Sequence, residues 1–229
     1  MNGIMQIIGS LIALCGSVFL FLGALGVLRI LIETPLELDL EQLLHSAART
    51  LGEKVDAAAA VPEVFDYMME RFKAYYAERG LTADLVDAVL ARRPTRPSDF
   101  DRRMHAVAAF RALPEASSLA AANKRIRNIL RKTEEPVPAT PDIALLQEAS
   151  ERRLAELVES HAVELAPLFA AGRYREALTR LSALRGPVDD FFDQVMVMCE
   201  DAALRRNRLA LLRSLEALFL GVADISRLQ

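Results

Sequence analysis

FFDQVMVMCEDAALRRNRLALLRSLEALFLGVADISRLQ, residues Phe191 to Gln229, is the stretch whose pattern decides the fold. From Leu204 the apolar positions Leu211, Leu215, Leu218, Val222 and Ile225 recur at alternating steps of four and three, so they line one face of a long helix, widened by Leu212 and Phe219. The opposite side starts basic. Arg206 and Arg213 share a stripe, Arg205 and Arg208 lie beside it, and no acid falls between Asp201 and Glu216. The pattern predicts a helix that buries one face in a bundle and shows cations on the other, an arrangement that suits an RNA backbone.

Working outward from this helix, Val188, Phe191, Phe192 and Val195 mark the helix before it, with Gly186-Pro187 expected to end one helix and start the next. Tyr174, Leu178 and Leu181 mark another, set off by Gly172. Leu154, Leu157, Val158, Leu165, Leu168 and Phe169 mark a third, on whose apolar side His161 reads as a core histidine. These helices predict a bundle over residues 142–229. Ahead of it, TEEPVPATPD (Thr133 to Asp142) has three prolines and one large apolar residue, Val137, so residues 133–141 read as a linker and domain boundary.

The formal net charge is -3, which announces no nucleic-acid binder, but the charge is unevenly spread. Between Ala91 and Lys132 stand eleven Lys or Arg and three acids, a net +8 that leaves -11 for the remainder. In VLARRPTRPSDFDRRM (Val89 to Met104) Pro94 and Pro97 hold the backbone extended while Arg92, Arg93 and Arg96 project from it, and Ser98 is placed to cap the next helix. Farther on, Lys124, Arg127 and Arg131 share one helix face, and Leu119, Ala122, Ile126, Ile129 and Leu130 the other. Residues 31–132 thus read as a basic helical region. In it Asp39 caps a helix to about Leu51, Val61, Val64, Phe65, Met68, Phe72, Tyr75 and Tyr76 make an apolar stripe ending at Gly80, and Thr82 caps a short helix. The aromatics on that stripe read as core, not as a platform for bases. No stretch alternates long enough for a sheet, so the fold class is all-α.

Ile4 to Leu28 carries no charge, and its polar members are Gln6, Ser10 and Ser17. About 25 residues at 1.5 Å rise exceed the roughly 30 Å hydrocarbon thickness, so residues 1–30 are expected to hold a transmembrane helix over 4–28 that would tie the chain to a membrane. A signal peptide fits less well, since no Lys or Arg precedes the run. Cys15 lies in this run and Cys199 near the last helix. Neither has a CxxC partner, so both read as small buried residues rather than metal ligands.

Several strings resemble the beta subunit of bacterial glycyl-tRNA synthetase: ALGVLRILIE from Ala24, LELDL from Leu36, the Val89–Met104 stretch, FRALPEASSLAAANKRIRNILRK from Phe110, then FFDQVMVM, LRRNRLALL and VADISRLQ. The last helices resemble that family's DALR-type anticodon-binding module. Its naming run stands here as Ala202-Ala203-Leu204-Arg205, with the acid one residue early at Asp201. Residues 1–23 instead resemble the first membrane helix of the G-type subunit of cation/proton antiporters, which suggests a reading frame joined at Ala24–Arg29.

The resemblance implies a C-terminal, tRNA-binding part of a glycine-tRNA ligase beta subunit, cytoplasmic by family, with glycine tRNA and the alpha subunit as partners. ATP and Mg would be used by that alpha subunit, with no cofactor bound here. Arg205, Arg206, Arg208 and Arg213 would meet phosphates, with Arg92, Arg93 and Arg96 and with Lys124, Arg127 and Arg131. The residues themselves offer no catalytic or metal set: there is no Gly-rich phosphate loop, and His45, His105 and His161 are isolated. Two rival readings stand beside this one, a membrane-tethered helical interaction protein and a gene fragment without function.

Overall fold

The computed structural model describes residues 23, 26–34, 37–52 and 56–228. Every regular element among them is helical: α1 (Leu40–Leu51), α2 (Ala57–Glu70), α3 (Phe72–Ala77), α4 (Ala83–Leu90), α5 (Pro97–Arg111), α6 (Ala116–Lys132), α7 (Ala149–Ala170), α8 (Tyr174–Leu181), α9 (Arg185–Gln194) and α10 (Ala202–Leu220). Short 3-10 turns stand at Ile143–Leu145, Ser182–Leu184 and Ile225–Arg227. The chain divides into two compact units, one of residues up to Ala83 with Pro94–Asp101, the other of Asp84–Arg93 with Arg102–Gln229.

In the first unit Asp39 caps α1 by accepting from the Gln42 amide at 3.0 Å, and Thr95 adds a hydroxyl to its other oxygen. The Leu40 amide donates to the Thr95 carbonyl at 2.8 Å, so the Pro94–Pro97 stretch helps hold the start of α1. The expected apolar stripe is buried except at Val64, but the helix breaks at Arg71 into α2 and α3. Phe72 stacks on Phe100 with centroids 4.2 Å apart, and fully buried Tyr76 donates its hydroxyl to Asp101 at 2.8 Å. Burial, reinforced by that carboxylate, pushes the Tyr76 phenol far above the ordinary tyrosine range. These aromatics are core, as their periodicity predicts. Gly80 takes φ +77°, a left-handed value that side chains resist, and the chain turns there.

The second unit is built around α10. Its buried residues include six in a row, Asn207 to Leu212, which cover about one and two-thirds turns, so no face meets solvent there. α6, α7 and α8 pack against it, α9 packs on α6 and α7, and the closing 3-10 turn lies on α6. The expectation of one buried and one cationic face is therefore corrected over the middle of the helix.

Three boundaries also differ from expectation. α5 starts at Pro97, which needs no amide partner in a first turn, so Ser98 lies inside the helix and donates to Glu37 instead of capping. Gly186 and Pro187 fall in the first turn of α9 for the same reason. The 133–141 stretch lies within the second unit, because α6 before it packs on α9 and α10 after it. The apolar run 4–28 and Cys15 lie largely outside the described residues. Among the described residues no helix is long and apolar enough to cross a membrane.

Burial alone would raise the Asp39 carboxyl, but the Thr95 hydroxyl, the Gln42 and Glu41 amides and nearby Arg96 together hold it below the usual carboxylate value of 3.8. A depressed folded value means that the cap contributes fully above about pH 4 and is lost as pH falls through the folded value. Amide exchange across Leu40–Leu51 should therefore speed up below about pH 4 beyond the intrinsic trend. Asp39→Asn, which keeps a capping oxygen but cannot titrate, should remove that extra acceleration.

Candidate nucleic-acid interface

The start of α10 follows from its sequence. Asp201 accepts from the Ala203 amide at 2.8 Å and the Leu204 amide at 3.1 Å, satisfying donors that an α-helix leaves open. The Leu204 amide, then the Ala203 amide, holds the Asp201 carboxyl below its ordinary value. The acid one residue before the Ala-Ala-Leu-Arg run is thus the helix cap.

Of the four arginines expected to face RNA from α10, three are turned to the protein. Arg208 has a side chain 6 % exposed, pairs through Nε with the fully buried Glu151 and donates to the Met196 carbonyl at 2.9 Å. Glu151 also accepts from the Gln147 and Glu148 amides at 2.8 and 2.9 Å, which closes the start of α7. Arg205 donates to the Cys199 carbonyl at 2.8 Å and to Glu135 at 2.6 Å. Arg213 donates to the Val137 carbonyl at 3.1 Å and to that of Pro138. Arg206 is exposed and, among the described residues, reaches only the Ala202 carbonyl of its own helix, at 3.2 Å.

These contacts also correct the linker reading. Buried Asn207 accepts from the Asp142 amide at 2.6 Å and donates to its carbonyl at 2.8 Å. Together with Arg205 and Arg213 it straps residues 135–142 along α10. Proline supplies no amide hydrogen for pairing within the stretch, and α10 donates to the Val137, Pro138 and Asp142 carbonyls. Between the strap, α7 and α10 runs a cleft of about 590 Å³ lined by Pro141, Ile143, Val158, Phe169, Ala217 and Leu218, among others. Its lining is mainly apolar, which does not suit a phosphate backbone.

On α6, Lys124 and Arg131 are exposed, while Arg127 turns to the chain's end. It pairs with Asp224 and donates to Ser226 at 3.3 Å, and Arg227 meets the same Asp224 at 2.9 Å. Burial raises the Glu216 carboxyl, and Arg127 opposes that shift. Arg92 and Arg93 are exposed in the second unit, Arg93 at φ +47°, and Arg96 is exposed in the first. Sequence reasoning did not single out Arg103, which donates to the Gly221 and Val222 carbonyls at 2.9 and 2.6 Å and so closes the end of α10. The signal was only a further basic residue in a basic run. Cys199 is partly exposed, with its thiol 3.5 Å from the Asp201 carbonyl, not buried as expected. His161 is half-buried with Nδ1 2.8 Å from the Leu157 carbonyl. Among the described residues no group of His, Cys, Asp or Glu is placed to hold a metal.

Residues 119–223, from α6 through the end of α10, match the family described as DALR anticodon binding domain. Residues 22–91 match the family described as glycyl-tRNA synthetase beta subunit. Over 206 residues the chain is 56 % identical to the glycine–tRNA ligase beta subunit of Aeromonas salmonicida (strain A449), 54 % to that of Pasteurella multocida (strain Pm70) and 52 % to that of Vibrio atlanticus (strain LGP32). Each match takes in 90 % of this chain, which spans 30 % of the length of each of these curated relatives. Neither family match takes in residues 1–21, so nothing in them supports the antiporter likeness.

The geometry separates two kinds of arginine by stability. Arg208→Ala leaves the Glu151 carboxylate buried without its partner and should cost about 3–5 kcal/mol in urea unfolding. Arg206→Ala should stay within about 0.5 kcal/mol of the parent. Equal effects from the two substitutions would contradict the assignment.

Proposed function

We propose, from the premise that this chain is a relative of glycine–tRNA ligase beta subunits, that its second unit is a tRNA-binding bundle that engages the anticodon arm of glycine tRNA. The observation that carries this reading is the match of residues 119–223, the helices gathered on α10, to an anticodon binding domain. The chain contributes position, not chemistry. Activation of glycine, with its ATP and Mg, falls to a separate alpha subunit, and this bundle holds the tRNA so that its far end is presented there.

The mechanism is electrostatic. Arg206, Lys124, Arg131, Arg92 and Arg93 present exposed side chains from the second unit, and Arg96 is exposed in the first. Each cation that meets a phosphate releases condensed counterions, so affinity falls as salt rises. Arg205, Arg208, Arg213 and Arg127, held by carboxylates and carbonyls, act instead through the shape of the bundle. Phosphate contacts fix register, while preference for glycine tRNA must come from contacts to bases.

Binding of the full chain to glycine tRNA and to a non-cognate tRNA across a salt series tests this. The expected result is tighter binding to glycine tRNA. Arg206→Ala and Lys124→Ala should each flatten the slope of log affinity against log salt by about 0.7–0.9. Equal binding to both tRNAs that salt erases, or slopes that neither variant alters, would count against the reading.

A further inference from the structure

Resting on the RNA-binding reading, we propose that Arg125 and Phe192 form a preformed phosphate clamp, in which Phe192 is a positioning residue for the Arg125 guanidinium. The Arg125 guanidinium carbon, on α6, lies 4.2 Å from the centroid of the Phe192 ring, on α9. Two other arginines that cover aromatic rings are tied down. Arg79, over Tyr75, donates to the Tyr75 carbonyl and to Glu33. Arg103, over Tyr174, donates to two carbonyls and to the Tyr174 hydroxyl. Arg125 is exposed and, among the described residues, makes no hydrogen bond and no ion pair, so its five donors are held beside a ring with no acceptor of their own.

The surroundings favour a phosphate. α6 carries no acid from Ala116 to Lys132. On α9, Asp189 accepts from Ser118 at 3.0 Å and faces Arg185 at 3.6 Å, and Asp190 and Asp193 are exposed and make no hydrogen bond or ion pair with Arg125. Along the exposed face of α6, Ser117 and Ala121 are small, and Lys124, Asn128 and Arg131 follow at helical spacing around Arg125. Small residues let a backbone come close, and the planar fork of arginine matches phosphate geometry in a bidentate way. A ring stacked on one side limits the rotamers the fork must give up on binding, so the contact forms at lower entropic cost than one from a free lysine.

The test is a double-mutant cycle on glycine tRNA binding by the full chain, with urea unfolding as a control. Arg125→Ala should flatten the salt slope by about 0.7–0.9. Phe192→Leu keeps the charge, so at fixed salt it should weaken binding about twofold to fivefold while the slope stays near that of the parent. In the Arg125→Ala background the same Phe192→Leu change should have no effect on binding, and Phe192→Tyr should restore the parent affinity. A Phe192→Leu loss that persists in the Arg125→Ala background would mark a merely structural ring and overturn the proposal. So would a parent-like Arg125→Ala variant whose chain still binds glycine tRNA through Arg206, or a role of Arg125 confined to binding an acidic protein surface. Failure of the parent chain to bind glycine tRNA would instead overturn the functional reading, and the clamp with it.

Discussion

The second unit depends on one buried ion pair, Arg208 with Glu151, drawn from positions 57 residues apart in sequence. Taking two charges out of water costs several kcal/mol per ion, so such a pair persists only where its remaining donors and acceptors are met. Here they are. The carboxylate takes two amides at the start of α7, and the guanidinium reaches the Met196 carbonyl in the loop before α10. One interaction thereby fixes the beginning of α7, the approach to α10 and the register between the two helices. Asn207, next in line, pins the strap by exchanging both hydrogen bonds with Asp142.

This arrangement explains which parts of the molecule were legible in the sequence. Period and caps gave the helices: Asp39 caps as expected, and the Val61–Tyr76 stripe is core, because those signals are local. The all-round burial of α10 was hidden, since its partner for Arg208 lies in another helix and a buried arginine reads as a surface one until that partner is known. The strap was misread for a related reason. Prolines and the absence of large apolar residues signal a linker, but the carbonyls of Val137 and Pro138 are held by Arg213, a contact that no local pattern encodes. Ser98 failed as a cap because Pro97 is itself at home in a first helical turn.

The same division sorts the charge. The excess of cations between Ala91 and Lys132 is not all surface, since Arg103 and Arg127 are turned to the closing residues of the chain. Of the ten cations that the sequence nominates for RNA, Arg205, Arg208, Arg213 and Arg127 hold the bundle together. Arg206, Lys124 and Arg131 are exposed, as are Arg92, Arg93 and Arg96. A bundle that uses some arginines to fix its own helices presents the others from a rigid frame.

The most direct test of the central claim is a hydroxyl-radical footprint of glycine tRNA bound to the full chain at moderate salt. The account predicts backbone protection over the anticodon stem and loop that non-cognate tRNA does not share. Protection confined to the acceptor end, or spread evenly over both tRNAs, would contradict it.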